Sequence, residues 1–232
     1  ILSASSCHTD PAAIKADIKL NQTYGAYARN VMDVYLPLRR DTSTKVVMLI
    51  HGGGWVAGDK TNWPADLINP FLQWGYAVEC INYRYADGDF HHQMSDVQQA
   101  INYTNAHAAE WNIATNKFAL TGASAGGHLA LLFAHAFDST GAVKAVVSLV
   151  GPTDLTDTLF FKDAAHYNLG YIFPQLLGST IDSNPLVYRN ASPVFYHRAV
   201  PSLFIHGSND DLVPPAQGLR MFDSLRVYNI AA

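Results

Sequence analysis

The sequence predicts an α/β fold: a doubly wound, mostly parallel sheet with helices on both faces. Short apolar runs of the kind found in buried strands alternate along the chain with stretches of helical spacing. Three of these runs are followed directly by segments that are rich in glycine, histidine or aspartate. Because ligands of such sheets bind beyond the carboxyl ends of the strands, we expect the three segments to meet in one site.

Each predicted element rests on its own pattern. Apolar runs predict buried strands at residues 45–50, 76–83, 118–120, 143–150 and 202–205. The alternation at residues 31–36 predicts an antiparallel strand at the edge of the sheet. Helical spacing predicts helices at residues 96–112, 126–137 and 215–225. The aromatic-rich segment 154–180 has no strand pattern, and we expect either a lid or insertion over the site there, or a surface loop.

Composition limits the classes of protein to which the chain can belong. The chain has 232 residues, 49% of them hydrophobic, which suits a single α/β domain over residues 16–232. A formal net charge of −4 gives no electrostatic basis for binding nucleic acid. No apolar run reaches the ~18 residues of a membrane-spanning helix. The histidines lack the spacing of metal-binding motifs, so neither a metal nor an organic cofactor is expected.

Residues 1–15 have features of a processed leader. Small residues precede Cys7, as they do at the end of a secretory signal, and the cysteine resembles a bacterial lipoprotein processing site. This interpretation predicts export, as a periplasmic, lipoprotein or secreted protein. The alternative is a disordered N-terminal segment with an incidental cysteine in a cytoplasmic protein. Cys80 lies in an apolar run, where we expect a buried core thiol.

The pattern Gly122-x-Ser124-x-Gly126 lies between a predicted strand and a predicted helix. This context is typical of a nucleophile elbow, a tight turn that exposes one serine hydroxyl. The glycines let neighbouring backbone pass close to the turn, and the first amides of the helix point back at the serine. We therefore predict that Ser124 is a catalytic nucleophile.

Residues 51–55, His-Gly-Gly-Gly-Trp, follow an upstream strand. Backbone amides without side chains can donate to a substrate carbonyl oxygen. We predict that Gly53 and Gly54, together with the amide of Ala125, form an oxyanion hole. The alternative is an ordinary glycine-rich turn after a strand, with no role in catalysis. Trp55 is predicted either as a wall of the substrate pocket or as an ordinary core side chain.

An acidic loop at residues 206–214 follows the last predicted strand. A catalytic serine needs a histidine and an acid that orients it, and in the order Ser…Asp…His the acid follows a late strand. Its spacing from His206 favours Asp210 for this role. Asp211 fits better as part of an acidic turn before the helix that starts near Pro215.

Together these segments resemble the α/β-hydrolase superfamily, and within it the small esterases of the hormone-sensitive-lipase-like and the acetyl-xylan or feruloyl esterase-like groups. The resemblance runs from about residue 31 to residue 225, and its motifs lie at 51–60, 82–85, 122–130, 151–155, 191–193 and 206–214. It implies that Ser124 is the nucleophile, Asp210 the triad acid, and Gly53, Gly54 and Ala125 the oxyanion hole. Arylformamidases share a related His-Gly-Gly-x-Trp element and stay an alternative.

The triad histidine is the part of the family pattern that has no match. The family places it on a loop after the last strand, well past the acid, whereas the last histidine here is His206. We therefore expect the last strand, the histidine loop and the final helix to be missing, through truncation, supply by a partner chain, or natural loss of catalysis. Among the other histidines His166 is the best substitute, because it lies in the 154–180 segment.

The function that follows is a serine carboxylic-ester hydrolase with an acyl-enzyme on Ser124. By resemblance the substrate is a short acyl ester on a small molecule or carbohydrate, with acetyl and feruloyl esters of plant polysaccharide as candidates. Removing the histidine of a serine hydrolase of another fold cost about 10⁶-fold in turnover. A non-catalytic, hydrolase-like binding protein is therefore the main alternative.

Overall fold

The computed structural model describes residues 17–160 and 170–232. Its centre is one seven-stranded sheet with the strand order β1-β2-β4-β3-β5-β6-β7. The contacts of β2 with β1 and β4 are antiparallel, and all the other strand pairs are parallel. The strands are β1 (Asp17–Thr23), β2 (Val31–Leu36), β3 (Val46–Ile50), β4 (Ala77–Ile81), β5 (Phe118–Ala123), β6 (Val143–Leu149) and β7 (Ser202–Ile205).

Helices cover both faces of the sheet, as predicted. They are α1 (Ala65–Gln73), α2 (His91–Trp111), α3 (Ala125–Leu132), α4 (Ile172–Leu177), α5 (Pro185–Asn190) and α6 (Ala216–Val227). Shorter helical turns lie at Lys60–Asn62, Phe133–Phe137 and Pro193–Phe195. Among the described residues, no helix combines the length and the apolar character that crossing a bilayer requires.

β3 shows how the sheet divides the core. Val47 and Leu49 pack with Ile68 of α1 on one face. The alternate residues, including Met48, belong to a larger apolar core on the other face, which takes in side chains of α2, α3 and α6. Successive side chains of a strand point to opposite faces, so a central strand covered on both sides reads as a continuous apolar run. Cys80 is buried beside α1, as predicted for a core thiol.

All five predicted buried strands are present, and β5 runs on to Ala123 instead of ending at residue 120. The antiparallel strand at residues 31–36 is also present, but its placement at the edge is wrong. β1 covers its outer side, with Lys19 opposite Val34. β1 itself carries no burial signal in the sequence, because its apolar side chains Ile18 and Leu20 are exposed.

The register of the parallel strands sets the position of the site. Ile50 of β3 pairs with Gly122 of β5, which pairs with Ser148 of β6, and Ser148 pairs in turn with Phe204 of β7. The carboxyl ends of these four strands therefore lie at one edge of the sheet. The three segments that carry candidate site residues all leave the sheet at this edge.

Candidate active site

Ser124 occupies the sharp turn between β5 and α3. Its backbone has φ 51° and ψ −120°, a conformation that a residue with a side chain adopts only under strain. Two hydrogen bonds hold the turn: the Ser124 amide donates to Leu149 O (2.7 Å), and Ser124 O accepts from the His128 amide (3.0 Å). Because α3 begins at Ala125, the unpaired amides of its first turn lie next to the serine.

Gly126 makes this turn possible. A Cβ on Gly126 would lie 2.0 Å from Ile50 O and 2.5 Å from His51 O, which is closer than any side chain can approach backbone. The nucleophile helix therefore starts in direct backbone contact with the end of β3. Main-chain packing therefore places the elbow directly against the segment after β3.

The glycine loop, residues 51–58, folds back at the same edge of the sheet as Ser124. Gly53 has φ 111°, and its carbonyl accepts from the amide of Ala57 (2.9 Å) to close a tight turn. A Cβ on Gly53 would lie 2.3 Å from Ala57 O, so the turn requires glycine. Across residues 17–160 and 170–232, no backbone acceptor pairs with the amides of Gly53 and Gly54. Both residues line a cavity together with Ser124.

Trp55 joins the glycine loop to the nucleophile helix. Its indole Nε1–H donates to Nδ1 of His128 (3.2 Å), and His128 Nε2 donates to Ala191 O (2.7 Å). Burial lowers the pKa of His128 to about 4, so the ring is neutral and free to accept at Nδ1. Trp55 also has a positive φ of 63°, and this conformation is held by the hydrogen bond and by packing. Trp55 is a buried core side chain that also lines the cavity, and its role as a wall of the substrate pocket stays a prediction.

The cavity next to Ser124 has a volume of about 400 Å³ and mostly apolar walls. Its aromatic lining includes Phe160 and Phe173, whose ring centres lie 5.2 Å apart. The remaining walls are Gly53, Gly54, Trp55, Val56, Ala57, Pro152, Tyr171, Ile172, Leu212 and Val213. An apolar space of this size can hold the acyl part of a small ester or a single aromatic ring.

Asp210 lies in the loop after β7. Its Oδ1 accepts from the amides of Leu212 (3.0 Å) and Val213 (2.9 Å), two residues that line the cavity. Its Oδ2 is 3.7 Å from Nε2 of His206, beyond hydrogen-bond distance, because that nitrogen donates to Val213 O (2.7 Å). Asp211 is exposed, as expected for an ordinary turn residue.

The described histidines are engaged elsewhere. Within the described ranges no histidine forms a hydrogen bond with the Ser124 hydroxyl, and His166 lies outside those ranges, as do Cys7 and residues 1–15. His128 and His206 are bonded to the backbone, as above. The partners of the others are Arg29 and Gly52 for His51, Asp89 for His91, Asp87 for His92, Tyr103 for His107, Ser202 for His135 and Ser224 for His197.

Several cavity walls were not predictable from the sequence. Phe160 and the start of α4, Ile172 and Phe173, lie in the aromatic-rich segment for which we expect either a lid or a surface loop. Leu176 of α4 is fully buried, so the described end of this segment is part of the core. The available signal was the density of aromatic side chains, which does not tell which of them face a cavity.

The family of the chain follows from comparison with protein-family models. The family described as BD-FAE matches residues 32–225, most of the chain. This chain belongs to the BD-FAE family. The part of this BD-FAE protein that matches contains the glycine loop, Ser124 and Asp210.

Known proteins similar to this BD-FAE chain include esterases. LipM of Mycobacterium tuberculosis, described as a probable carboxylic ester hydrolase, is 32% identical over 221 residues, 88% of this chain and 51% of LipM. A bifunctional GH43-CE protein of Bacteroides eggerthii has a TM-score of 0.80 at 27% identity, over 92% of this chain and 31% of that one. A truncated carbohydrate esterase from gut microbiota has a TM-score of 0.77 at 26% identity, over 96% and 87% of the two chains. The chain spans about half the length of the curated relatives it matches.

Proposed function

We propose that this protein is a serine carboxylic-ester hydrolase in which Ser124 is the nucleophile. The observation that carries the proposal is the strained elbow: Ser124 is held at φ 51° on the wall of an apolar cavity. Backbone strain costs of order 1–3 kcal/mol, persists only where the surrounding structure imposes it, and is concentrated at active sites. The similarity to named esterases supports the same reaction class.

In the proposed reaction the Ser124 hydroxyl gives its proton to an imidazole while Oγ bonds to the ester carbonyl carbon. The carbonyl oxygen becomes an anion, and the amides of Gly53, Gly54 and Ala125 donate to it. The carbon–alkoxide bond then breaks, and the leaving alcohol takes the proton from the imidazolium. Water repeats the sequence on the acyl-enzyme, which releases the acid and restores the serine.

Asp210 is proposed to hold that imidazole. Its Oδ1 is occupied by two loop amides, and no hydrogen bond reaches Oδ2 from the described residues. Oδ2 can therefore accept an N–H of the imidazole and fix its tautomer. Within the described residues, no histidine forms a hydrogen bond with the Ser124 hydroxyl. The proposed base is therefore a histidine whose contact with that hydroxyl is not among the hydrogen bonds described above.

The proposed substrate is a short acyl ester, with acetyl and feruloyl esters of carbohydrate as candidates. A cavity of about 400 Å³ accommodates a small acyl group. The aromatic walls from Trp55, Phe160 and Phe173 suit a flat ring such as that of a feruloyl group. The named carbohydrate esterase with a similar fold supports a carbohydrate alcohol.

A second candidate is a non-catalytic binding protein that keeps the cavity without turnover. One observation favours it: no histidine hydrogen-bonds to Ser124 in the described ranges. Such a protein would bind methyl ferulate or a similar ester, and Ser124→Ala would leave the affinity unchanged.

Hydrolysis of p-nitrophenyl acetate separates the candidates. We expect turnover that Ser124→Ala abolishes, with Ser208→Ala, an exposed serine of the Asp210 loop, as the matched control. Turnover that survives Ser124→Ala contradicts the proposal, and ester binding with no Ser124-dependent turnover favours the binding protein.

Arylformamidase activity predicts hydrolysis of N-formylkynurenine, which an esterase restricted to esters would leave intact. His166→Ala tests whether that histidine is the base.

A further inference from the structure

Arg29 lies in the connection between β1 and β2, about twenty residues before the glycine loop, yet its guanidinium reaches that loop. Its Nη2 donates to Gly58 O (3.0 Å) and lies 3.2 Å from Nε2 of His51. Its Nε donates to Tyr83 O (2.8 Å), just after β4. The guanidinium carbon is 3.8 Å from the centre of the Tyr85 ring. One side chain therefore touches both ends of the glycine loop and the segment beside it.

The chemistry of His51 makes the contact with Arg29 directional. His51 Nδ1–H donates to Gly52 O (2.7 Å), so Nε2 carries the lone pair that accepts from the guanidinium. Burial is the largest cause that lowers the pKa of His51 to about 4, and the Arg29 charge lowers it further. The hydrogen bond to Gly52 and the charge of Asp59 oppose this shift. His51 also stacks on Tyr83 with ring centres 4.3 Å apart, and the Tyr83 hydroxyl donates to His51 O (3.0 Å).

The far end of the loop is held by the same group of side chains. Gly58 O accepts from Arg29 and also from the Tyr85 hydroxyl (2.8 Å). Gly58 has φ 98°, and a Cβ there would lie 2.5 Å from Nδ1 of His51, so the two ends of the loop are in contact. The amides of Gly53 and Gly54 lie between these anchored ends.

We infer that Arg29 is a positioning residue for the oxyanion hole: its guanidinium fixes both ends of the glycine loop, and thereby the amides of Gly53 and Gly54, at Ser124. The inference rests on the proposed function, in which those amides bind the oxyanion. The planar guanidinium can donate in several directions at once and stack on an aromatic ring, whereas a lysine ammonium at this place would reach one acceptor. The three acceptors, His51 Nε2, Gly58 O and Tyr83 O, lead us to expect that arginine is required at this position.

The test compares Arg29→Met and Arg29→Lys with Arg189→Met. Arg189 is a matched control, because its guanidinium also lies on an aromatic ring, 3.9 Å from the centre of Phe195, but on α5. In Arg29→Met we expect kcat to fall about 10–100-fold with KM almost unchanged, because the amides are displaced by a fraction of an ångström. Arg29→Lys, which keeps the charge and preserves folding, should recover only part of kcat.

Two further readouts do not depend on turnover. By NMR, amide hydrogen exchange at Val56 and Ala57, whose amides donate to Gly53 O, should accelerate at least about tenfold in Arg29→Met, since local opening of the loop becomes easier. The pKa of His51 should rise, because a facing positive charge has been removed. Neither quantity should change in Arg189→Met.

Unchanged exchange at Val56 and Ala57 in Arg29→Met would overturn the inference, as would full activity of that variant. A wild-type protein without Ser124-dependent turnover would remove the proposed function. The exchange rates would still decide whether Arg29 positions the loop, because they do not depend on turnover. The two failures are therefore distinguishable.

Discussion

The two halves of the candidate site are held in different ways. On the side of Ser124, central strands β3 and β5 bring backbone against backbone, and Gly126 lies so close to Ile50 that no side chain fits. On the side of Asp210, the acid lies in the loop that follows β7, the last strand in the sheet order, whose Leu203 and Ile205 are about half exposed. The first half is fixed by core packing and the second by hydrogen bonds within one loop. We therefore expect substitutions in the first half to lower the stability of the protein, and substitutions in the second half to lower its activity without a loss of stability.

The largest effect is expected at Asp210, where a substitution should lower activity without lowering stability. Asp210→Asn should lower kcat about 10⁴-fold, since the acid fixes the tautomer of the imidazole. The melting temperature should change little, because the amide oxygen can still accept from Leu212 and Val213. Asp211→Asn, at the exposed neighbour, is the control and should leave both kcat and the melting temperature unchanged. Equal effects of the two substitutions would remove Asp210 from the site.

Two glycines test the packing of the two halves directly. Gly126→Ala places a Cβ 2.0 Å from Ile50 O, and we expect a loss of about 3 kcal/mol or more in the free energy of unfolding. Gly207→Ala, in the Asp210 loop, meets no atom within 4 Å and should change stability by less than about 0.5 kcal/mol. Urea unfolding of both variants measures the difference. Similar losses would show that the two halves are equally constrained.

Glu79 of β4 is a carboxyl buried in the central sheet, whereas Asp210 lies in a loop, so the two acids should differ in how they affect stability. Burial raises the pKa of Glu79 to about 8, and Thr104 Oγ1 lies 2.6 Å from its Oε1. The unfolded chain ionises this group near pH 4.5, so its contribution to stability is present below that pH and is lost as the pH rises to about 8. Glu79→Gln should remove this slope and gain of order 2 kcal/mol relative to wild type at pH 8. If the free energies of unfolding of the two proteins change in parallel between pH 5 and pH 8, the carboxyl of Glu79 is not buried and neutral, and the prediction is wrong.

The smallest effect concerns the link between the glycine loop and α3. Trp55→Phe removes the donor to His128 and leaves a buried nitrogen unpaired, which should cost about 1–2 kcal/mol of stability. We expect kcat to fall about tenfold as the loop loosens. Trp63→Phe is the matched control, because the Trp63 Nε1 has no hydrogen-bond partner within the described ranges. Equal losses in the two variants would mean that only ring packing matters.

The sequence was informative where burial is continuous. The apolar runs of β3 and β4 predicted central strands, and the glycine spacing around Ser124 predicted the elbow that the structure shows. Exposed or interrupted elements gave weaker signals. α1 contains Pro70, which argues against a helix interior, although its apolar face packs on the sheet.

The cavity walls and the anchoring of the glycine loop depend on contacts between distant segments. Arg29 binds two carbonyl groups and a histidine ring that lie 22 to 54 residues away. Backbone carbonyls have no sequence signature, so residue types and spacing could not reveal this role. The same reason hides Phe160 and Ile172 as cavity walls.

The reactivity of Ser124 is the central claim, and labelling by an organophosphate ester tests it most directly. We expect intact mass and peptide mapping after exposure to paraoxon to show one adduct on Ser124, absent in Ser124→Ala and formed more slowly in Asp210→Asn. An adduct on another residue, or the same labelling in Ser124→Ala, would contradict the claim.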